Sequence, residues 1–503
     1  PQVQHPVMMV AMMEEKERLE ELAESELRDR ERTLEGGGHP HGVQPWGNSY
    51  EAGAAPSVRS SSLGHLRVLS DEALVDLLGH VGARGLCVLA RSSKALYVLS
   101  QCEELWKPLV IAKCGGAFKF QGTWRRTYAL EVCGVELSEK VLKVGGFYSD
   151  VLFQSFLCST IDFDSAWLEV DNVDRRSGLS LEEFVAQYEK PNRPVIITDV
   201  VKKWPAFGKW NREYLFKEFG DTPLIAGAVK MKLADFFKYC DTSREERPLY
   251  IFDKHFSKHS ARVAADYEVP EYFNQDLFSL LGEEGRPDYR WMIMGPGRSG
   301  SSFHVDPNST SAWNACITGR KKWILYPPHC PPPGVHPSTD MAEVTTSASL
   351  CEWFINFYPQ TKVGDVRPME CVCEAGEVIF VPRGWWHCVL NLEESVAITQ
   401  NYVSERNLLT VVDYLRDKPH CISGTDRRED LLERFEASLK EKRPGLLEGL
   451  REEQRVKQQS GKSLWDKLTD KEDASHAPTF SLLGGGGGGA GAAGGAALFS
   501  FGF

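Results

Sequence analysis

The chain has 503 residues, 42% of them hydrophobic and 25% charged. This composition excludes a fibrous or wholly disordered protein and is typical of a folded chain with roughly two to four domains. The net charge of −12 does not favour a nucleic-acid partner, which needs clustered lysine and arginine, and suits a protein substrate rich in those residues.

The spacing of the cysteines and the hydropathy of the chain indicate in which cellular compartment the protein is expected. The 13 cysteines are scattered and form no C-x-x-C pair, so a zinc ribbon or a disulfide framework is not expected. Reduced thiols indicate a nuclear or cytoplasmic location. No apolar run reaches the roughly 18–20 residues that a membrane helix needs, so no membrane partner is expected.

The first part of the chain divides into three predicted segments. Residues 1–64 contain charged helix formers over 14–33, followed by a Gly-, Pro- and Ser-rich linker, and are expected to be disordered or partly helical. Residues 65–111 carry leucines at helical spacing and predict a small helical module. Residues 112–160 are interpreted as a connector that packs against both neighbours.

Over residues 161–415 the sequence pattern is different: short β-branched and aromatic runs are separated by Pro, Gly and Asn. Such runs predict a β-sandwich or barrel. Five of them are 194–198, 290–294, 322–326, 377–381 and 396–403. Helices are expected over 207–219 and 232–240, and Ser180 with Glu183 predicts a capping box that starts another.

The last part of the chain contains two predicted segments. Residues 416–473 are charged and helical, with Leu431, Leu432 and Phe435 on one face. Residues 474–503 are rich in Gly and Ala, and they are expected to be disordered because they bury too little apolar surface to fold.

A candidate metal site lies in two of the predicted strands. His304 and Asp306 are two residues apart, so on a strand their side chains point to one face. His387 follows a Pro-Arg-Gly turn in an apolar run and offers a third ligand. Two histidines and a carboxylate form the facial triad of non-haem iron(II) oxygenases. The alternative interpretation is that the H-x-D pattern arises by chance and that His387 is a core histidine with its hydrogen bonds satisfied. The presence of a third candidate ligand favours the metal site.

An oxygenase of this kind that uses 2-oxoglutarate needs a cation and hydrogen-bond donors for the two carboxylates. Lys321, Trp323 and Leu325 alternate along one predicted strand, so their side chains point to the same face of the sheet. By this parity Lys321 is expected to face inward, and Lys322 to face solvent. A surface lysine pair is the alternative that parity leaves open. The candidate hydrogen-bonding partners are Tyr250, Ser301, Asn314 and Thr399.

These residues carry a resemblance to a known family. The stretches 290–328 and 376–403 resemble a Jumonji-C (JmjC) domain, and most of all the bifunctional arginine demethylase and lysyl-hydroxylase subgroup. The H-x-D, N, K, G-W-W-H and T-Q-N elements fall in the family's order and spacing. The resemblance covers 161–415 and implies a cupin-like double-stranded β-helix with surrounding helices.

The resemblance also implies roles for individual residues. The implied iron(II) ligands, which form the catalytic centre, are His304, Asp306 and His387. The implied contacts to 2-oxoglutarate are Tyr250, Asn314, Lys321 and Thr399. Ser301 stands where the subgroup has threonine and keeps the hydroxyl, and Asn401 is expected to lie behind the metal ligands.

The implied reaction consumes iron(II)-bound 2-oxoglutarate and O₂ to hydroxylate a C–H bond. On lysine the product is hydroxylysine. On an N-methyl group of arginine or lysine the carbinolamine loses formaldehyde, so the expected activity is hydroxylation or demethylation of proteins such as histones. An oxygenase acting on RNA or a small molecule is a further alternative, against which the acidic charge argues only weakly.

The front module resembles an F-box, so the whole chain is expected to be α+β: a small helical F-box-like module followed by the JmjC domain. In that interpretation Leu69 and Leu74 bind the Skp-type adaptor of a cullin-based (SCF) ubiquitin ligase. A plain helical pair packed on the enzyme is the alternative. A competing function is a substrate-recruiting subunit whose JmjC core only binds, but the full set of iron and co-substrate residues favours the enzyme.

Overall fold

The computed structural model describes residues 38–51, 57–138, 140–364 and 366–461. The expected helix over 14–33 and the Gly- and Ala-rich tail over 474–503 lie outside these residues. Among the residues described, no helix combines the length and the apolar character needed to cross a membrane.

Short helices make up the front of the molecule. They are α1 (Asn48–Glu51), α2 (Val58–Ser62), α3 (Asp71–Gly79), α4 (Gly82–Leu89), α5 (Lys94–Leu99), α6 (Glu103–Cys114), α7 (Trp124–Thr127) and α8 (Asp150–Thr160). Ser70 caps α3: its side chain accepts a hydrogen bond from the Ala73 amide and fixes the start of the helix. Two short strands, β1 (Val43–Gln44) and β2 (Phe147–Tyr148), pair in parallel and tie the beginning of this region to its end.

The remainder of the chain is built on two sheets. The large sheet has nine strands in the order β3-β4-β15-β10-β17-β8-β7-β5-β6, and the small sheet has four in the order β14-β11-β16-β9. The large-sheet strands are β3 (Arg175–Arg176), β4 (Val195–Ile197), β5 (Leu224–Ala226), β6 (Val229–Met231), β7 (Ile251–Asp253), β8 (Arg290–Gly295), β10 (Ser311–Thr318), β15 (Val378–Val381) and β17 (Ser395–Tyr402). The small-sheet strands are β9 (Gly300–His304), β11 (Lys321–Tyr326), β14 (Met369–Cys373) and β16 (Trp386–Asn391). A separate hairpin contains β12 (His336–Pro337) and β13 (Val344–Thr345).

The two sheets pack face to face and enclose an interior. One apolar cluster contains Ala312 and Ile379 of the large sheet together with Trp323 and Leu325 of the small sheet. All ladders of both sheets are antiparallel except the pairing of β3 with β4. The two-sheet core expected from the sequence is confirmed, and each of the five apolar runs forms a strand.

Helices surround this two-sheet core. They are α9 (Leu181–Phe184), α10 (Pro205–Lys209), α11 (Arg212–Phe219), α12 (Leu233–Thr242), α13 (Phe256–His259), α14 (Ala261–Ala265), α15 (Leu350–Asn356), α16 (Leu408–Asp417), α17 (Leu431–Lys442) and α18 (Leu446–Gly461). The capping box of Ser180 and Glu183 is confirmed at the start of α9. The helix expected over 207–219 is broken where Asn211 caps α11. Leu431 and Phe435 are buried against Leu277 and Phe278, as their spacing predicted.

The front helices and the two-sheet core share one hydrophobic core. Phe120 and Tyr239 pack edge to face at 5.1 Å between ring centroids. Lys107 Nζ lies 2.8 Å from Glu245 Oε2, and the Trp124 indole donates to the same oxygen at 3.0 Å. The front module is therefore packed directly on the enzyme, as the plain-helix alternative expects, and the boundaries at 111 and 160 stay predictions.

Leu74 is not exposed, so it cannot bind the adaptor as expected, while adaptor binding by Leu69 stays a prediction. Leu74 is 1% exposed and belongs to the shared core, while Leu69 is half-buried against the same core. The expectation was wrong for Leu74 because helical spacing identifies an apolar face but not what covers that face.

Candidate metal and co-substrate site

The candidate metal ligands meet on two neighbouring strands of the small sheet. His304 ends β9, and His387 lies directly opposite it on β16, with 4.2 Å between ring centroids. Asp306 follows the end of β9 by two residues, so its carboxylate turns back toward the rings. One donor atom from each of the three side chains lies within 4.8 Å of the others. Among the residues described, no other group of three His, Cys, Asp or Glu side chains meets this condition.

Both imidazoles are oriented by backbone carbonyls. His304 Nδ1 lies 2.8 Å from the Ser302 carbonyl oxygen, and His387 Nδ1 lies 3.0 Å from the Trp385 carbonyl oxygen. In each ring the protonated Nδ1 donates to the oxygen two residues earlier, which leaves the Nε2 lone pair free to bind a metal.

Burial favours the less charged form of each of the three groups. Burial, with a smaller contribution from His387, lowers the pKa of His304 to about 4, and burial lowers that of His387 to about 4. Burial raises the pKa of Asp306 to about 6, against the opposing effects of His304 and of a hydrogen bond from Asn401. Asp306 Oδ2 is buried without a hydrogen-bond partner. Two neutral imidazoles and an unpartnered carboxylate oxygen fit a divalent cation such as iron(II).

Asn401 contacts the candidate ligand Asp306. Its side chain hydrogen-bonds the Asp306 carboxylate, and its Nδ2 also donates to Thr310 Oγ1 at 2.9 Å. The carboxylate is thereby held toward the two rings.

Lys321 supplies a buried cation in the same interior. Its side chain shares a face with Trp323 and Leu325, which confirms the parity prediction, and it is 2% exposed. Nζ donates to Asn391 Oδ1 at 2.7 Å, and no carboxylate in the described parts of the chain pairs with it. Burial lowers the pKa of Lys321. An ammonium held here without a counter-ion is suited to an anionic ligand.

The expectation that Lys322 faces solvent was wrong. It points to the opposite face from Lys321, as parity requires, but it is fully buried at 0% exposure. Nζ lies 2.7 Å from Glu370 Oε2 and 2.9 Å from the Val170 carbonyl oxygen. The outer face of the small sheet is covered by other parts of the chain, so both faces of β11 are internal.

The four other co-substrate candidates lie in the large sheet or across the interior from it. The Tyr250 hydroxyl and Ser301 Oγ are 2.8 Å apart and bridge the two sheets, and burial raises the pKa of Tyr250 to about 12, so it remains a donor. Asn314 and Thr399 are register partners on β10 and β17. Asn314 Oδ1 is buried without a partner, whereas the Thr399 hydroxyl donates to the Trp313 carbonyl at 2.9 Å.

Two interior residues contact the site in ways that were not predicted from the sequence. Trp323 stacks on His387 with 5.9 Å between ring centroids and an interplanar angle of 25°. Asn391 holds Lys321. The signal was present for Asn391, because it follows His387 by four residues on one strand and so shares its face.

Known proteins resemble this chain over most of its length. A family model described as a cupin-like domain matches residues 226–407. The chain is 49% identical to the arginine-specific demethylase JMJ22 of Arabidopsis thaliana, over 85% of this chain and 86% of the relative. It is 36% identical to the bifunctional arginine demethylase and lysyl-hydroxylase psr-1 of Caenorhabditis elegans, over 55% of this chain and 70% of the relative.

A more distant relative has a name that states the cofactors. The chain is 28% identical to the 2-oxoglutarate and iron-dependent oxygenase JMJD4 of Gallus gallus, over 52% of this chain and 69% of the relative. With the match to JMJ22 across most of both proteins, and with a His-Asp-His group brought together inside a cupin-like domain, the chain belongs to the JmjC family of iron(II)- and 2-oxoglutarate-dependent oxygenases.

Proposed function

We propose that this protein demethylates methylated arginine side chains of other proteins, and that lysine hydroxylation is the related reaction at the same site. The observation that carries the proposal is a group of three metal-binding side chains, with His387 buried and the other two half-buried, in the same interior as a buried lysine that has no carboxylate partner. The 49% identity to a protein named an arginine-specific demethylase supports arginine as the first substrate to test.

The proposed residue roles follow from the contacts. His304 and His387 would bind iron(II) through Nε2, and Asp306 through its unpartnered oxygen. Lys321 would bind a carboxylate of 2-oxoglutarate, and Tyr250, Ser301, Asn314 and Thr399 would supply hydrogen bonds around it. When bound, iron and 2-oxoglutarate supply the O₂ activation that places one oxygen atom on the substrate C–H bond and releases succinate and CO₂.

The protein contributes orientation and the exclusion of water. The carbonyls of Ser302 and Trp385 fix the faces of the two imidazoles, and Asn401 fixes the carboxylate of Asp306. The apolar residues between the sheets keep the interior dry, which strengthens the attraction between Lys321 and a bound carboxylate. Hydroxylation of an N-methyl group gives a carbinolamine, which breaks its C–N bond to release formaldehyde and the demethylated nitrogen.

We expect the iron-loaded protein to remove methyl groups from dimethylarginine in basic peptides, such as those of histone tails. The net charge of −12 favours association with such peptides. Mass spectrometry would show the loss of a methyl group, with formaldehyde and succinate formed in equal amounts. A matched peptide with unmodified lysine would test for the gain of one oxygen. Succinate formed with neither change in any basic peptide, while a nucleoside or small molecule gained oxygen, would contradict a protein substrate.

A second candidate function concerns the front module. Three of its apolar side chains are well exposed: Val68 at 81%, Leu77 at 47% and Val88 at 60%. We propose that these residues, rather than the buried Leu74, bind a Skp-type adaptor if the module acts as an F-box. Exposed apolar side chains of this kind favour a protein partner at this end of the molecule.

We expect the triple change Val68→Ser, Leu77→Ser and Val88→Ser to abolish adaptor binding and leave succinate formation unchanged. Leu74→Ala is the control, and should lower the free energy of unfolding by about 2–5 kcal/mol because it opens a cavity in the core. A pull-down with purified adaptor measures the first effect, and thermal or denaturant unfolding measures the second. If the unmodified protein forms no complex with the adaptor, recruitment to a ubiquitin ligase is ruled out.

A further inference from the structure

The buried ammonium of Lys321 is held in place by one side chain. Asn391 Oδ1 accepts its hydrogen bond at 2.7 Å, and Asn391 is fully buried. Within the described residues, no other protein group hydrogen-bonds this ammonium. The position of the cation therefore depends on how firmly Asn391 is itself held.

Asn391 is fixed by the loop that precedes β9. Its Nδ2 donates to Ser299 Oγ at 2.9 Å, and its backbone amide donates to the Ser299 carbonyl at 2.8 Å. Its own carbonyl accepts from the Arg298 amide at 2.9 Å. Three hydrogen bonds thus tie the residue that holds Lys321 to two consecutive loop residues.

This loop has an uncommon conformation with little space around it. Arg298 has a φ of 72°, in the left-handed region that residues other than glycine rarely adopt. At Gly300, which has a φ of 149°, an added Cβ would lie 1.9 Å from the Val389 carbonyl oxygen. At Gly295 it would lie 2.4 Å from Ser299 Oγ and 2.7 Å from Tyr250 Cβ. Such a conformation persists only where surrounding contacts hold it.

The contacts that hold it come from the end of α8 and the residues that follow it. The Arg298 guanidinium donates to the Ile161 carbonyl and, at 3.4 Å, to the Cys158 carbonyl, both at the C-terminal end of α8. The same guanidinium lies 5.3 Å from the centroid of the Phe163 ring. Carbonyls at a helix C-terminus lack helical donors and favour a cation, so the end of α8 is a suitable anchor for Arg298.

We propose that Asn391 and Arg298 are positioning residues for 2-oxoglutarate: the end of α8 holds Arg298, the Arg298 loop holds Asn391, and Asn391 aims the Lys321 ammonium at the co-substrate carboxylate. The inference rests on the proposed role of Lys321. It assigns to the connector helix a part in co-substrate affinity, although α8 contributes none of the residues proposed to bind iron or 2-oxoglutarate.

The test compares the unmodified chain with four variants and with Lys321→Ala. Arg298→Ala removes the anchor, and Arg298→Lys restores a cation. Asn391→Asp keeps the shape but places a carboxylate beside Lys321, where it competes with the co-substrate. Arg320→Ala is the matched control, because Arg320 precedes Lys321 in the chain but is half-exposed and pairs with Glu393 at 3.3 Å.

We expect Arg298→Ala to raise the KM for 2-oxoglutarate about tenfold, as for loss of a charge-assisted hydrogen bond, with kcat within about twofold. Arg298→Lys should recover part of this loss, Asn391→Asp should raise KM by at least as much as Arg298→Ala, and Arg320→Ala should leave KM unchanged. Calorimetric titration of 2-oxoglutarate into manganese-loaded protein without O₂ measures the affinity apart from turnover, and melting temperature and metal content are recorded for each variant.

The outcomes separate this inference from the proposed function. If Lys321→Ala leaves the affinity for 2-oxoglutarate unchanged, the role proposed for Lys321 fails, and the inference fails with it. If Lys321→Ala weakens binding but Arg298→Ala and Asn391→Asp do not, only the positioning inference is overturned. It is also overturned if the affinity for 2-oxoglutarate, kcat, metal content and melting temperature all decline together in Arg298→Ala and Arg298→Lys recovers none of them, because that pattern indicates a general structural role.

Discussion

Replacing His304 and Asp306 together by alanine is expected to abolish both iron binding and succinate formation while the protein stays folded. Two of the three donors are lost, and His387 alone cannot hold a divalent cation in this site. In the metal-free protein burial opposes charge on these groups, and Asp306 Oδ2 makes no hydrogen bond. Their removal therefore takes away few stabilising interactions. Metal analysis, a succinate assay and circular dichroism measure the three quantities.

The chain offers a matched control for this double change. His420 Nε2 and Asp340 Oδ2 form a pair 3.2 Å apart on the surface, where both side chains are about half exposed. His420→Ala with Asp340→Ala removes the same two side-chain types and should leave iron content and turnover unchanged. Undiminished succinate formation by the His304 and Asp306 variant would show that the metal lies elsewhere.

Alanine substitutions at the two neighbouring lysines of β11 are expected to affect different properties: co-substrate binding for Lys321 and stability for Lys322. Lys321→Ala should raise the KM for 2-oxoglutarate by about 30- to 150-fold, which corresponds to about 2–3 kcal/mol of lost charge-assisted bonding. It should cost little stability, because the ammonium is buried without a carboxylate partner. Kinetics with varied 2-oxoglutarate and thermal unfolding distinguish the two effects.

Lys322→Ala should have the opposite result. It leaves Glu370 buried without the ammonium that lies 2.7 Å from its carboxylate, and breaking a buried pair costs about 3–5 kcal/mol. Lys362 Nζ, 3.8 Å from the other carboxylate oxygen, compensates only in part. The protein that remains folded should keep its KM. Equal changes in KM for the two variants would contradict the assignment of Lys321 as the co-substrate cation.

The comparison of these lysines shows what strand parity predicts and what it leaves open. Parity correctly placed Lys321 on the inner face and Lys322 on the outer face of one strand. It gave no information on what covers the outer face, because Glu370 is 48 positions away along the chain and Val170 is 152 positions away in the other direction. Contacts of that separation depend on the tertiary fold, which a local pattern does not contain.

The same limit explains the other differences. Apolar spacing predicted the helices of the front module, but not that Leu74 would be buried in the shared core. The alternation of side chains along a strand places Asn391 on the same face as His387. Its contact with Lys321 was not predicted, because the two residues are 70 positions apart in the chain. The ligand triad was predictable since its members lie in motifs whose spacing matches a family, and the structure brings all three together.

The common core of the front helices and the two-sheet enzyme affects how this protein can change over time. Trp124 is fully buried and donates to Glu245, which lies beyond the predicted boundary at residue 160. A module joined by a linker can be exchanged, duplicated or lost between generations without harm to its neighbour. Here the loss of the front helices would expose apolar surface of the oxygenase. Selection for a folded enzyme therefore also preserves these helices, whatever partner protein they bind.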